Sequence, residues 1–293
     1  GAARPRPRPD HSRAARGSPD TSDIFGAQPG DEALLAELYD LEHDDLGEDV
    51  AFYRDWVRRT GAEAVLDLGC GSGRLHRAFL DGGARRVVGL DGSAALLARA
   101  RNRIAADPRL AAAAAAGRLE LVHADVRHLR RRDRFGLVVL AGVLAHLGGP
   151  EDAVATLAAV ASVLEPDGRA IVDTLGPGGL PVHDLPMSVD WERRIGGRRV
   201  VRRSSLELNE TPEGLRVAYA TLTDLVEADG TIARVPASFR LWYPSPSALA
   251  ALAAEADLEV EAAFGSHDHA TLGDRSERCI VVLRPTSEGP GTG

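Results

Sequence analysis

From about residue 31 the chain places Leu34, Leu35, Leu38 and Leu41 three and four residues apart, which predicts a helix. A second helix is predicted from Val50 to Arg59, with Phe52, Trp56 and Arg59 along one side. Short apolar runs then alternate with helical spacing. Ala64–Leu68, Arg86–Leu90, Leu119–His123, Leu137–Ala141 and Arg169–Thr174 read as strands. Residues 74–81, 93–106 and 150–164 read as helices, the last ended by Pro166. This alternation predicts an α/β fold: a parallel sheet with helices on both faces.

The pattern changes between residues 188 and 243. Val217, Tyr219, Thr221 and Thr223 alternate at period two, and Gly196-Gly197 and Asp229-Gly230 are hairpin dipeptides. The region reads as an inserted antiparallel β meander of three or four strands. After Pro244 and Pro246 a helix is expected over Ala248–Ala256, then strands over Leu258–Phe264 and Cys279–Leu283. The expected organisation is a disordered tail over 1–22, a core over 23–177 and an inserted subdomain over 178–245. The last helix and strands of the core follow over 246–285, and 286–293 form a flexible tail.

Composition narrows the function classes. No run of 18 apolar residues occurs, so no membrane-spanning helix is expected. The N-terminal segment is basic but has no apolar core, so it does not read as a secretory signal, and a cytoplasmic location is expected. The net charge of −8 speaks against a nucleic-acid binder. All 35 basic residues are arginine, and Ala111 to Ala116 is an unbroken alanine run. Both look like codon bias, so the arginines between Arg193 and Arg203 read first as a solvated hairpin face, with an anion clamp as the alternative. Cys70 and Cys279 make neither a disulfide framework nor a metal cluster, and no metal is expected.

The strongest chemical signal is Asp67-Leu68-Gly69-Cys70-Gly71-Ser72-Gly73-Arg74, a strand running into a glycine-rich turn. Glycines let backbone approach a ligand where a side chain would clash. The spacing is G-x-G-x-G, whereas a dinucleotide loop wants G-x-G-x-x-G, and Arg74 holds that third place. A second strand ends at Asp91, His123-Ala124-Asp125-Val126 follows the third, Ala141-Gly142-Val143 follows the fourth, and Leu164-Glu165-Pro166-Asp167-Gly168 precedes the fifth. In this order the motifs resemble the Rossmann-like S-adenosylmethionine-dependent methyltransferases, over roughly 31–175 and 246–285. The resemblance implies a seven-stranded methyltransferase sheet and S-adenosylmethionine as cofactor. It implies a cofactor site at Asp67, Gly69, Cys70, Gly71, Gly73, Arg74, Asp91, Gly92, Ala124, Asp125, Val126 and Ala141. Asp91 would take the ribose hydroxyls and Asp125 the adenine amino group. Taken singly, both acids also read as helix N-caps.

The runs Leu38-Tyr39-Asp40, Phe52-Tyr53 and Leu241-Trp242-Tyr243-Pro244, with His146, resemble small-molecule N- and O-methyltransferases of the glycine/sarcosine and amino-sugar kind. The signature runs of DNA-base, RNA-cytosine and protein-arginine enzymes are missing. The implied partner is a small-molecule acceptor, with no nucleic acid and no membrane. The insertion is expected to wall the acceptor pocket or make a subunit contact, so a homodimer is open. His146 is the candidate base, because histidine exchanges a proton near neutral pH, and Tyr39 is its candidate partner. Tyr53, Trp191, Arg240, Tyr243, His267 and His269 are the candidate acceptor contacts. A cofactor-binding regulatory protein and an NAD(P)-dependent oxidoreductase remain as alternatives on sequence alone.

Overall fold

The computed structural model describes residues 32–43, 47–195 and 197–286. The tail expected over 1–22, Gly196 of the Gly-Gly turn, and residues 287–293 lie outside the described residues. Two helices come first, α1 (Glu32–His43) and α2 (Glu48–Thr60). The alternating part follows: β1 (Ala64–Leu68), α3 (His76–Gly82), β2 (Arg86–Asp91), α4 (Ala94–Ala106), α5 (Pro108–Ala115), β3 (Leu119–His123), β4 (Phe135–Ala141), α6 (Pro150–Val163) and β5 (Leu164–Leu175). Four long strands come next: β6 (Leu185–Ile195), β7 (Arg198–Thr211), β8 (Gly214–Val226) and β9 (Ile232–Pro244). The chain closes with α7 (Pro246–Glu255), β10 (Leu258–Phe264) and β11 (Arg278–Pro285).

The main sheet has seven strands in the order β10-β11-β5-β4-β1-β2-β3. β1 to β5 are parallel, and β11 runs antiparallel to both β5 and β10. The central strand β4 is apolar throughout, and β1 and β2 are nearly so, because both of their faces are covered. Leu66, Val88, Leu90, Val138, Leu140 and Val172 pack against α6 and α7. Their neighbours Val65, Val87, Leu137, Val139 and Ile171 pack against α2, α3 and α5. The order reverses between β1 and β4, so a crevice opens at the carboxyl ends of these two strands.

Two local readings are corrected, and one helix is added. Helix α3 begins at His76 and not at residue 74, because Gly73 sits at φ +75° and holds the chain in a turn. The alanine run is part of helix α5, which burial of Leu110 and Ala113 stabilises and which Asp107 caps by accepting from the backbone N–H of Arg109 and Leu110. Helix α6 stops at Val163, before Pro166, and the Leu164–Arg169 segment joins β5 with a register irregularity against β4.

β6 to β9 form a separate four-stranded antiparallel sheet in sequential order. Its Val200, Leu225, Val235 and Ala237 pack on Leu35, Ala36 and Leu38 of α1 and on Leu96 of α4. Helix α1 is thus held between the small sheet and the main domain. An ion pair from Arg202 to Glu42 and a bond from Arg193 to the Leu41 carbonyl (3.2 Å) fasten it from the sheet side.

Candidate active site

The crevice widens into a cavity of about 1430 Å³ bordered by both sheets and by α1. Pockets for one small ligand usually measure roughly 300–1,000 Å³, so this one has room for two reactants.

One end is built from backbone. The N–H groups of Gly69 and Cys70 both donate to the Leu90 carbonyl (2.7 and 3.0 Å), which folds the turn after β1 over β2. Gly69, Gly71 and Gly73 all have positive φ (+76°, +55° and +75°). A side chain on Gly69 would collide with Val143, and one on Gly71 would reach the space beside the Tyr39 hydroxyl, 3.5 Å away. Asp91 ends β2 beneath this loop. Its Oδ2 accepts from the Gly71 N–H and its Oδ1 from the Ser93 N–H, each at 2.7 Å. Burial raises its pKa, and the two N–H bonds offset only part of that rise. Each carboxylate oxygen keeps acceptor capacity toward the cavity. These features fit an adenosyl-type cofactor: a glycine cradle that any Cβ would fill, and an oriented acid suited to a vicinal diol.

Twelve of the residues singled out from sequence border this cavity: Tyr39, Gly69, Gly71, Arg74, Asp91, Gly92, Asp125, Val126, Ala141, His146, Arg240 and His267. Several are engaged with protein neighbours. Arg74 lies on the Asp49 carboxylate with two bonds, one of 2.8 Å. Asp125 caps the turn that follows it, accepting from the Arg127 backbone N–H (2.9 Å) and pairing with the Arg127 side chain (2.7 Å). Tyr39 stacks on His43 with ring centroids 3.9 Å apart. Burial, with Asp91 nearby, pushes the Tyr39 hydroxyl up to about 12, so it is a neutral donor at ordinary pH. His146 sits in the turn after β4 and opens onto the cavity, with the Phe239 ring edge-on at 6.2 Å. The protein mass around it holds its pKa below the usual histidine value.

The other singled-out residues do not border the cavity. Asp67 is buried beneath the loop, 3.4 Å from the wholly buried His76. Cys70 points down against β2, and burial pushes its thiol well above the usual range, so it is no nucleophile. Gly73 rests on His76, and the Ala124 N–H donates to the Asp91 carbonyl (3.1 Å). Trp191 carries Arg193 over its ring (5.1 Å), and His269 packs between Phe52 and Phe264. Tyr243 is partly buried.

Asp173, at the carboxyl end of β5, was not anticipated and organises the opposite end. It is 2% exposed, yet it borders the cavity. Its Oδ2 accepts from the Tyr53 hydroxyl (2.7 Å) and pairs with His267 Nε2 (2.8 Å). Its Oδ1 accepts from Arg278 Nε (2.9 Å) and Nη2. Burial alone would raise its pKa, but His267 and Arg278 outweigh it and hold the carboxyl below the usual range. A signal for Asp173 existed in the sequence: Ile171-Val172-Asp173 repeats the apolar-strand-then-acid ending of Gly89-Leu90-Asp91.

Residues 65–168 match a family model described as a methyltransferase domain. Over this segment the chain carries a methyltransferase domain. The glycine loop, Asp91 and Asp125 fall within the matched segment. No curated protein matches the chain in sequence. The structure is similar to the CcbJ methyltransferase from Streptomyces caelestis, with 22% identity, a TM-score of 0.71, and coverage of 90% of this chain and 100% of that one. It is also similar to Streptomyces venezuelae DesVI, with 23% identity, a TM-score of 0.65, and coverage of 86% and 98%. A third similar structure is CalS10, an amino pentose methyltransferase from Micromonospora echinaspora involved in calicheamicin biosynthesis, with 22% identity, a TM-score of 0.64, and coverage of 86% and 97%. At this identity the likeness shows a shared fold, including the small antiparallel sheet. Among the described residues no helix is long and apolar enough to cross a membrane.

Proposed function

We propose that the chain transfers the methyl group of S-adenosylmethionine to a nitrogen or oxygen of a small molecule, a secondary metabolite or its precursor. The observation that carries this reading is the single cavity with two unlike ends, one a glycine-and-acid cradle and the other a wall of side chains. The bound donor supplies a methyl group on a positively charged sulfur. The chain's own task is to align an acceptor lone pair with that carbon and to exclude water. Gly69, Gly71, Asp91, Gly92, Asp125, Val126 and Ala141 hold the donor. Tyr39, neutral and beside the loop, and His146, kept neutral by its surroundings, orient the reactive atoms through hydrogen bonds. The segment 178–245 walls the acceptor half through Tyr219, Phe239 and Arg240. The similarity to an amino pentose methyltransferase supports a polar, amine-bearing acceptor.

The test is incubation with methyl-labelled S-adenosylmethionine and a panel of amino sugars and amino acids. Label should appear in a small-molecule product, and calorimetry should show S-adenosylhomocysteine binding without NAD binding. Label found only in protein or nucleic acid would overturn the acceptor class, and absence of S-adenosylhomocysteine binding would overturn the donor site.

A further inference from the structure

Three histidines border the cavity: His43 is stacked on Tyr39, while His146 and His267 sit in opposite surroundings. His146 has the Phe239 ring beside it and, among the described residues, no carboxylate pairs with it. His267 has a fixed partner in Asp173. The Asp173 carboxylate receives Tyr53 and His267 on one oxygen and Arg278 twice on the other, so its acceptor positions are all used. An ionised carboxylate has no proton to give, so His267 Nε2 must carry the hydrogen of that bond. The neutral ring then presents Nδ1 as a bare lone pair. Among the described residues none hydrogen-bonds His267 Nδ1, while the ring itself borders the cavity.

The surroundings balance in charge. Arg278, arriving on β11, offsets Asp173 on β5. Tyr53 and the Phe52 ring face His267 from α2. From its own loop, Asp268 is turned onto Ser266, and His269 packs on Phe52 and Phe264. Glu277 borders the cavity from the segment leading into β11. The dyad also sits beside the donor end. Asp173 is the register partner of Ala141, and the Gly142 N–H donates to the Asp173 carbonyl (2.8 Å).

We propose that His267 is the proton acceptor of the reaction and that Asp173 is the positioning residue that fixes its ring. This rests on the methyl-transfer reading above. The acceptor nitrogen uses its lone pair to form the new N–C bond as the C–S bond breaks, and that bond's electron pair stays on sulfur. The proton the nitrogen sheds goes to His267 Nδ1. The resulting imidazolium keeps its Nε2–H bond to Asp173 until it returns a proton to water. A base held in one tautomer by a third group is the general arrangement of an activated proton acceptor. Tyr53 and Arg278 keep the Asp173 carboxylate ionised and oriented.

Nitrogen-15 and carbon-13 NMR of the histidine rings in the full chain tests this without an acceptor. His267 should be found as the Nε2–H tautomer, in the free protein and with S-adenosylhomocysteine bound. Asp173→Asn should abolish that preference. His267→Gln, which leaves the Tyr53 and Arg278 bonds to Asp173 in place, keeps the test open if Asp173→Asn fails to fold. With any amine methylated in the panel assay, His267→Gln should lower kcat about 10²–10⁴-fold, leave S-adenosylhomocysteine affinity within about twofold, and remove the acid limb of the pH–rate profile. Tyr53→Phe should retain that limb. An Nδ1–H tautomer in the wild-type protein, or a His267→Gln enzyme with full rate and an unchanged profile, overturns the assignment. A panel without product counts against the acceptor class proposed above, and the NMR result still decides the dyad.

Discussion

The two ends of the cavity are made of different materials. At the glycine end the contacts come from backbone N–H groups and one acid, Asp91, all within about 25 residues of chain, Gly69 to Ser93. At the other end Tyr53, His267 and Arg278 reach Asp173 across 120, 94 and 105 residues of sequence. The first end is specified by dihedral angles that only glycine adopts cheaply. The second is specified by charge balance among side chains. A backbone cradle suits a ligand that does not change, whereas side chains on separate elements can be exchanged one at a time. The division predicts that the donor end resists substitution and that acceptor choice resides in the second end.

The largest effect should come from breaking the acceptor-end hub. Asp173→Ala strips the counter-charge from Arg278 and leaves the Tyr53 hydroxyl without its acceptor inside the protein. Removing one partner of a buried pair costs about 3 kcal/mol, which thermal or urea unfolding would read as a clear loss of stability. Affinity of the surviving folded protein for S-adenosylhomocysteine should stay near wild type. A parallel collapse of donor affinity would show that the ends are not independent.

Asp91→Ala tests the other end and should be somewhat milder. It removes the acceptor for the Gly71 and Ser93 N–H groups and, on the function proposed above, the contact to the donor. The loss of charge-assisted bonds amounts to about 1.5–3 kcal/mol, or roughly 10–100-fold in S-adenosylhomocysteine affinity by calorimetry. Fold stability should change less than in Asp173→Ala. The pH dependence has a definite sign. Burial raises the Asp91 pKa, so the wild-type donor affinity should begin to fall with acidification above the usual carboxylate range of about 4. The Asp91→Ala protein should lack that limb. An acid limb unchanged by the substitution would remove Asp91 from the donor site.

The contrast between the ends also explains what the sequence could disclose. Ala64–Leu68, Leu119–His123 and Leu258–Phe264 are strands at the limits their apolar runs suggest, because burial on one or both faces imposes a continuous local pattern. Gly69, Gly71 and Asp91 were legible because a tight turn and a strand end are local events. Helix α5 was hidden by the alanine run, whose composition alone does not separate codon bias from helix, and only Asp107 as cap and buried Leu110 reveal it. The Asp173 hub was not legible, since a strand-ending acid shows neither its tertiary partners nor that β11 will lie beside β5. Trp191 and His269, chosen for residue type, pack against protein neighbours because type does not state direction.

The smallest effect belongs to a carboxylate of similar design on the small sheet. Asp224 on β8 is held by Arg203 from β7 and Arg234 from β9 (2.6 Å), and bonds from Arg234 set its pKa down to about 2. It resembles Asp173 in being paired with arginine but does not line the cavity between the two sheets, and more than half of the Arg234 side chain is in water. A depressed carboxylate gives a contribution that is complete above its unfolded value, about 3.9. That contribution is lost as pH falls through its folded value, about 2. Asp224→Asn should therefore lower Tm slightly at neutral pH, by about 1 °C or less given solvent screening, and flatten the loss of stability between pH 4 and 2. The difference should shrink in 1 M salt, where the Debye length is about 3 Å. Donor affinity should not respond at all. If Asp224→Asn matched Asp173→Ala in its cost, arginine pairing alone would account for both sites, and burial beside the cavity would lose its claim to set the acceptor end apart.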